Sequence, residues 1–210
     1  MPESNNQTAN AQGYGTPAAP AQTEIIIKKS RFIARAAAAC DREQALRWLA
    51  QAQADFPDAR HHCWAYLLGP SNNPRSQAFS DDGEPGGTAG KPILNVLQHK
   101  EFGDIMLIVI RYFGGIKLGA GGLVRAYSQA AQAVIEQLDC QLHQPVQALL
   151  IRCDFSQEQP LRHWLGLHQG EIESVDYNNG VELKVVLPLT ELPVWEAEAA
   201  RLGVGFTKGS

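Results

Sequence analysis

The chain's 210 residues suffice for one large or two small domains, and 44% hydrophobic against 19% charged residues is ordinary for a globular protein. No apolar run approaches the ~20 residues needed to span a bilayer, and no basic-then-apolar start marks a secretion signal. A net charge of −4 argues against a strong generic nucleic-acid binder. That charge is uneven: 13 basic and 13 acidic residues lie before Val146, against 5 and 9 from there on, so an anion site belongs to the first part.

Residues 1–22 are Asn, Gln, Ala, Pro, Gly and Thr with few large apolar groups, which predicts a disordered tail. Glu24–Lys29 and Arg31–Ala34 read as strands rich in β-formers. Asp41 with Gln44 reads as a helix start, and Ala45, Trp48, Leu49, Ala52 and Phe56 repeat at helical spacing behind it. Cys63–Leu68 is the next strand, stopped by Gly69-Pro70. A polar loop from Ser80 to Gly90 leads into a helix around Lys91–Lys100, with Pro92 in its first turn. Ile105–Ile110 is apolar on both faces and predicts a central strand. After Gly122 a helix places Leu123, Tyr127, Ala130, Ala131, Val134 and Leu138 on one core-facing stripe.

Pro145 reads as a domain boundary, giving domains at 23–144 and 145–210. Beyond it come the strand Val146–Cys153, a helix capped by Ser156 with Gln159 and ended by Gly170, strands Glu171–Tyr177 and Val181–Leu187 joined through Asn178-Asn179-Gly180, a helix Thr190–Leu202 and a short last strand. That β-α-β-β-α-β order is the order of a ferredoxin-like α/β sandwich. The expected class is α+β. Cys40, Cys63, Cys140 and Cys153 form no C-x-x-C pair, so reduced thiols in a cytoplasmic protein are expected, with no membrane partner.

Two stretches carry the chemistry. In Arg111–Tyr127, the glycines Gly114, Gly115, Gly119, Gly121 and Gly122 lie beside Arg111, Lys117 and Arg125 at a strand-to-helix junction. Free amides at a helix start with cations around them suit an anion; a tight connection relieved of steric crowding accounts for the same glycines. The loop matches neither G-x-x-x-x-G-K-[ST] nor G-x-G-x-x-G, because no Lys follows Gly119 or Gly121 and Val124 stands where the last glycine belongs. In Ser80–Pro92, Asp81, Asp82 and Glu84 crowd three carboxylates into four residues. A solvated acidic turn, a Mg²⁺ site and a scaffold that holds Arg111 or Lys117 by ion pairing all fit. His61 and His62 point to opposite faces of a strand and cannot share one metal; either is a candidate acid or base.

His62-Cys63-Trp64-Ala65-Tyr66, the block Ser80–Pro92 and the block Arg111–Tyr127 together resemble the IMPACT/YigZ family, over about residues 24–208. The resemblance implies an N-terminal βαβ domain like domain IV of elongation factor G and a ferredoxin-like C-terminal domain. It implies regulation of translation as the setting, since eukaryotic IMPACT competes for a co-activator of a stress kinase. A nucleic-acid role suggested for the C-terminal domain of relatives fits poorly with the acidic balance found here. The leading expectation is a non-enzymatic, translation-associated protein without cofactor, whose binding residues, Arg111, Lys117, Arg125 and the glycine loop, meet phosphates of RNA or the ribosome. Asp81, Asp82, Glu84 and His62 complete the candidate site. The alternative is a small-molecule or nucleotide phosphate-binding enzyme with a Mg-dependent site. A protein partner held by Trp195 or the C-terminal sheet is a third reading.

Overall fold

The computed structural model describes residues 13–100, 102–178 and 180–209. Chain contacts divide them into two compact units, Tyr14–His143 and the residues from Gln144 onward. No helix among them is long and apolar enough to cross a membrane.

The first unit contains, in order, β1 (Tyr14–Pro17), β2 (Ala21–Ile27), β3 (Ser30–Ala38), α1 (Arg42–Asp55), β4 (His61–Leu68), β5 (Ser76–Ser80), α2 (Gly90–His99), β6 (Ile105–Tyr112), α3 (Ala120–Ile135) and β7 (Cys140–His143). Its main sheet runs β2-β3-β6-β4-β5 with every neighbour antiparallel. β3 and β4 are therefore parallel to each other, joined through α1 and separated by β6. Both faces of the sheet are covered. Ile105, Leu107 and Val109 of β6 pack toward α2 and α3, whereas Met106, Ile108 and Ile110 pack toward α1. All six are essentially buried, which is why the strand reads as an unbroken apolar run. Each such side chain contributes roughly 1.5–3 kcal/mol over its exposed state.

The second unit contains β8 (Val146–Cys153), α4 (Phe155–Leu167), β9 (Glu171–Asp176), β10 (Val181–Pro188), a 3₁₀ turn (Leu189–Glu191), α5 (Leu192–Leu202) and β11 (Gly205–Lys208). The sheet order β11-β8-β10-β9, all antiparallel, is that of a ferredoxin-like sandwich. Its core gathers Leu149, Ile151, Leu183, Val185 and Leu187 under Leu161, Leu165 and Trp195 of the two helices.

Several elements differ from expectation. The expected tail falls outside the described residues as far as residue 12, but Tyr14–Pro17 and Ala21 onward are strands. Tyr14 accounts for this: its hydroxyl donates to Asp104 Oδ2 at 2.5 Å and its ring packs on His143 at 4.9 Å, while β1 pairs with β7. Lys28 and Lys29 form no strand end; both have positive φ (46° and 66°) and make the tight turn between β2 and β3. α4 starts two residues early, with the Asp154 N–H donating to Gln157 Oε1 at 2.9 Å. α3 starts at Ala120 instead of after Gly122.

Candidate functional site

The chain leaves β6 at Tyr112 and reaches α3 through the glycine loop. Gly114 lies against the β2–β3 turn: a Cβ there would stand 2.0 Å from the carbonyl carbon and oxygen of Lys29. Packing explains this glycine. Gly119 is different, because as N-cap of α3 it has a φ of 73°, which side chains disfavour. No side chain caps the helix, and its first internal bond runs from Leu123 N–H to Gly119 O at 2.9 Å. The N–H groups of Ala120, Gly121 and Gly122 thus find no acceptor among the described residues, at the end of the helix where the dipole is positive.

The acidic loop turns its carboxylates inward. Asp81 accepts from the N–H groups of Gly87, Ala89 and Gly90 at 2.7, 2.9 and 2.8 Å, capping α2 from outside the helix. Burial raises its pKa, but the three donors outweigh burial and hold the carboxyl below its ordinary value. Asp82 accepts from the His62 N–H at 2.6 Å. Glu84, buried, accepts from Arg111 Nη1 at 2.5 Å and from the Tyr127 hydroxyl at 2.8 Å. Tyr127 in turn accepts from Cys63 Sγ–H at 3.4 Å, and burial pushes that thiol up to about 12. Such a thiol is no nucleophile near neutrality.

The two loops face each other across one pocket of about 380 Å³, lined by Glu84, Arg111, Lys117 and Gly119 with Arg60, His61, Pro85 and Phe113. The structure corrects three assignments. Arg111 is no exposed phosphate contact; it is buried, its Nη1 is taken by Glu84, and its Nε has no partner. Asp81 and Asp82 do not line the pocket; both oxygens of Asp81 and Oδ2 of Asp82 serve backbone N–H groups. His62 is buried on the α1 side of β4, with Cys63 and Ala65 on the other; burial, opposed by Asp82, holds its pKa below its ordinary value. His61 stands at the pocket instead, donating from Nδ1–H to the Asp82 carbonyl at 2.8 Å.

Gly115, with a φ of 85°, shapes the loop beside the pocket, and Gly121 and Gly122 contribute amides without an acceptor among the described residues in the first turn of α3. The Arg125 guanidinium folds back toward that turn, 3.7 Å from where a Cβ on Gly121 would stand. Arg60, Lys117 and Arg125 are exposed and make no ion pair among the described residues. Arg60 and Phe113 were not expected at the site, and of the histidine pair His62 was placed there instead of His61. Phe113 left a signal, as the aromatic residue of a glycine-rich loop.

Residues 28–135 match the family model of the Impact N-terminal domain, and residues 151–202 match that of a domain of unknown function, DUF1949. The IMPACT family member YigZ of Escherichia coli is 40% identical over 194 residues, which cover 92% of this chain and 93% of that protein. The chain belongs to the IMPACT family. An IMPACT family member of Haemophilus influenzae is 38% identical over 81% of this chain and 82% of its own length. A crystal structure titled as that of a hypothetical protein superposes with a TM-score of 0.69 at 38% identity, covering 93% of this chain and 96% of that one.

Proposed function

We propose that this IMPACT family protein is a translation-associated, regulatory binding protein whose N-terminal domain receives a phosphate of RNA, on the ribosome or free of it, at the pocket between the acidic and glycine loops. The observation that carries the reading is the set of three unmet amides at the start of α3 with Lys117 beside them and Arg60 across the pocket. Amides and a helix dipole bind an anion without sequence preference, and exposed cations add a salt-dependent pull. Glu84, which also accepts from the Tyr127 hydroxyl, pairs with Arg111, so the pocket floor holds a buried ion pair before a ligand arrives. The translational setting comes from the family resemblance.

A Mg-dependent enzyme has less support. Asp81 spends both oxygens on backbone N–H groups and Glu84 spends Oε1 on Arg111 and Tyr127, and no cluster of three or more His, Cys, Asp or Glu among the described residues is arranged around a metal position.

Ribosome co-sedimentation at low and high salt tests the reading. The protein should pellet with ribosomes at low salt and be released at high salt, and Lys117→Ala combined with Arg125→Ala should weaken association. Absence of association at every ionic strength, or indifference to both substitutions, removes it.

A further inference from the structure

Phe113 is 53% exposed, although it directly follows one of the most deeply buried strands of the protein. It forms part of the pocket wall with Pro85, Leu118 and Leu123, and the Arg111 guanidinium lies 5.6 Å from its ring centroid. A bare phosphate makes no use of such a wall. A phosphate attached to a flat, apolar body does.

We propose that the pocket takes one unstacked nucleotide of a single-stranded RNA, its base laid on Phe113 and its phosphate at the amides of Ala120–Gly122. This rests on the phosphate reading above and names what the phosphate belongs to. The pocket volume of about 380 Å³ falls at the lower end of small-ligand sites, suited to about one nucleotide and too small for paired strands. A base within a duplex is stacked on both faces and cannot lie on a side chain, whereas a splayed base in a single strand stacks on an aromatic ring. Arg111 supplies the second, independent sign of a ligand. It is 6% exposed, lines the pocket, and its Nε–H is buried without an acceptor while Glu84 holds its Nη1. A donor left over beside an aromatic wall meets an acceptor on a base edge or sugar.

The test uses the full chain in fluorescence anisotropy with a labelled single-stranded RNA 12-mer of mixed sequence, the duplex formed with its complement, and unlabelled nucleoside monophosphates and inorganic phosphate as competitors. The single strand should bind more tightly than the duplex. Phe113→Ala should weaken it about tenfold with the salt slope unchanged, and Phe113→Trp should retain it. Lys117→Ala should lower the salt slope by about 0.7. Equal binding of strand and duplex, or a Phe113→Ala protein as good as wild type, overturns the nucleotide inference while a Lys117 effect leaves the phosphate reading standing. Displacement of the strand by free nucleoside monophosphate at equal or lower concentration also overturns it, in favour of a small metabolite. No RNA binding at 50 mM salt, with no Lys117 effect, overturns both.

Discussion

The two domains spend their charges differently. In the C-terminal domain Arg152, Arg162, Arg201 and Lys208 are each paired, with Glu182, Glu158, Glu198 and Glu196 at 2.5–2.9 Å, which leaves Lys184 alone of the five basic residues. In the N-terminal domain Arg60, Lys117 and Arg125 surround a helix start and pair with nothing described. Their sheets differ in the same sense. The C-terminal sheet packs its helices on one face, and a row of Thr207, Leu150, Lys184 and Ser174 crosses the other. That row carries no aromatic, where an RNA-binding sheet uses stacked rings. The N-terminal domain thus leaves cations unmatched beside an exposed ring, whereas the C-terminal domain matches four of its five.

The largest test of this contrast removes one acid from each domain. Glu84→Ala strands the buried Arg111 and should cost roughly 3–5 kcal/mol in urea unfolding of the full chain. Glu182→Ala, at an exposed pair, should leave the midpoint almost unmoved. Equal effects would mean that the pocket floor is not a buried pair.

Glycines sharpen the comparison next, since their effects should have opposite signs. Gly114→Ala drives a Cβ into the backbone of Lys29 and should destabilise by roughly 1–3 kcal/mol or more. Gly166→Ala, in α4 with nothing within 4 Å of the added carbon, should stabilise by about 0.5 kcal/mol. Thermal melts of both variants decide it.

Asp81→Ala removes the cap on α2 and should cost about 1 kcal/mol at pH 7. Because the folded pKa lies below the ordinary 3.8, this contribution is complete above that value and is lost as pH falls through the lower one. The difference between wild type and variant should therefore vanish in acid. A difference that does not shrink as the carboxyl is protonated, followed in the same samples by its NMR shift, would assign the effect to packing.

The smallest effect separates the two domains by salt. Hydrogen bonding to Arg201, whose guanidinium is exposed, holds Glu198 below its ordinary value, while backbone amides do so for Asp81 against the cost of burial. In an NMR titration, 1 M salt should raise the Glu198 value toward normal and leave that of Asp81 nearly in place.

Much of the architecture was written in local pattern. Ile105–Ile110 announces a central strand because burial on both faces demands apolar residues at every position. Asp41 announces α1 because the cap is a contact three residues long, Asp41 Oδ1 to Gln44 N–H at 2.7 Å. The glycine loop and its cations were legible for the same reason: φ preference and charge are properties of single residues. Contacts distant in sequence were not legible. Tyr14 is ordered by Asp104, ninety positions away, and Glu84 selects Arg111 and Tyr127 from three carboxylates that look alike in one dimension. Alternation shows that His61 and His62 face opposite ways, but only the placement of the helices decides which one meets the pocket. Local chemistry thus marked a strand-to-helix junction where glycines and cations gather. The packing of distant strands and loops determined which side chains open onto it, because burial and partner choice are set by neighbours that the chain brings together only on folding.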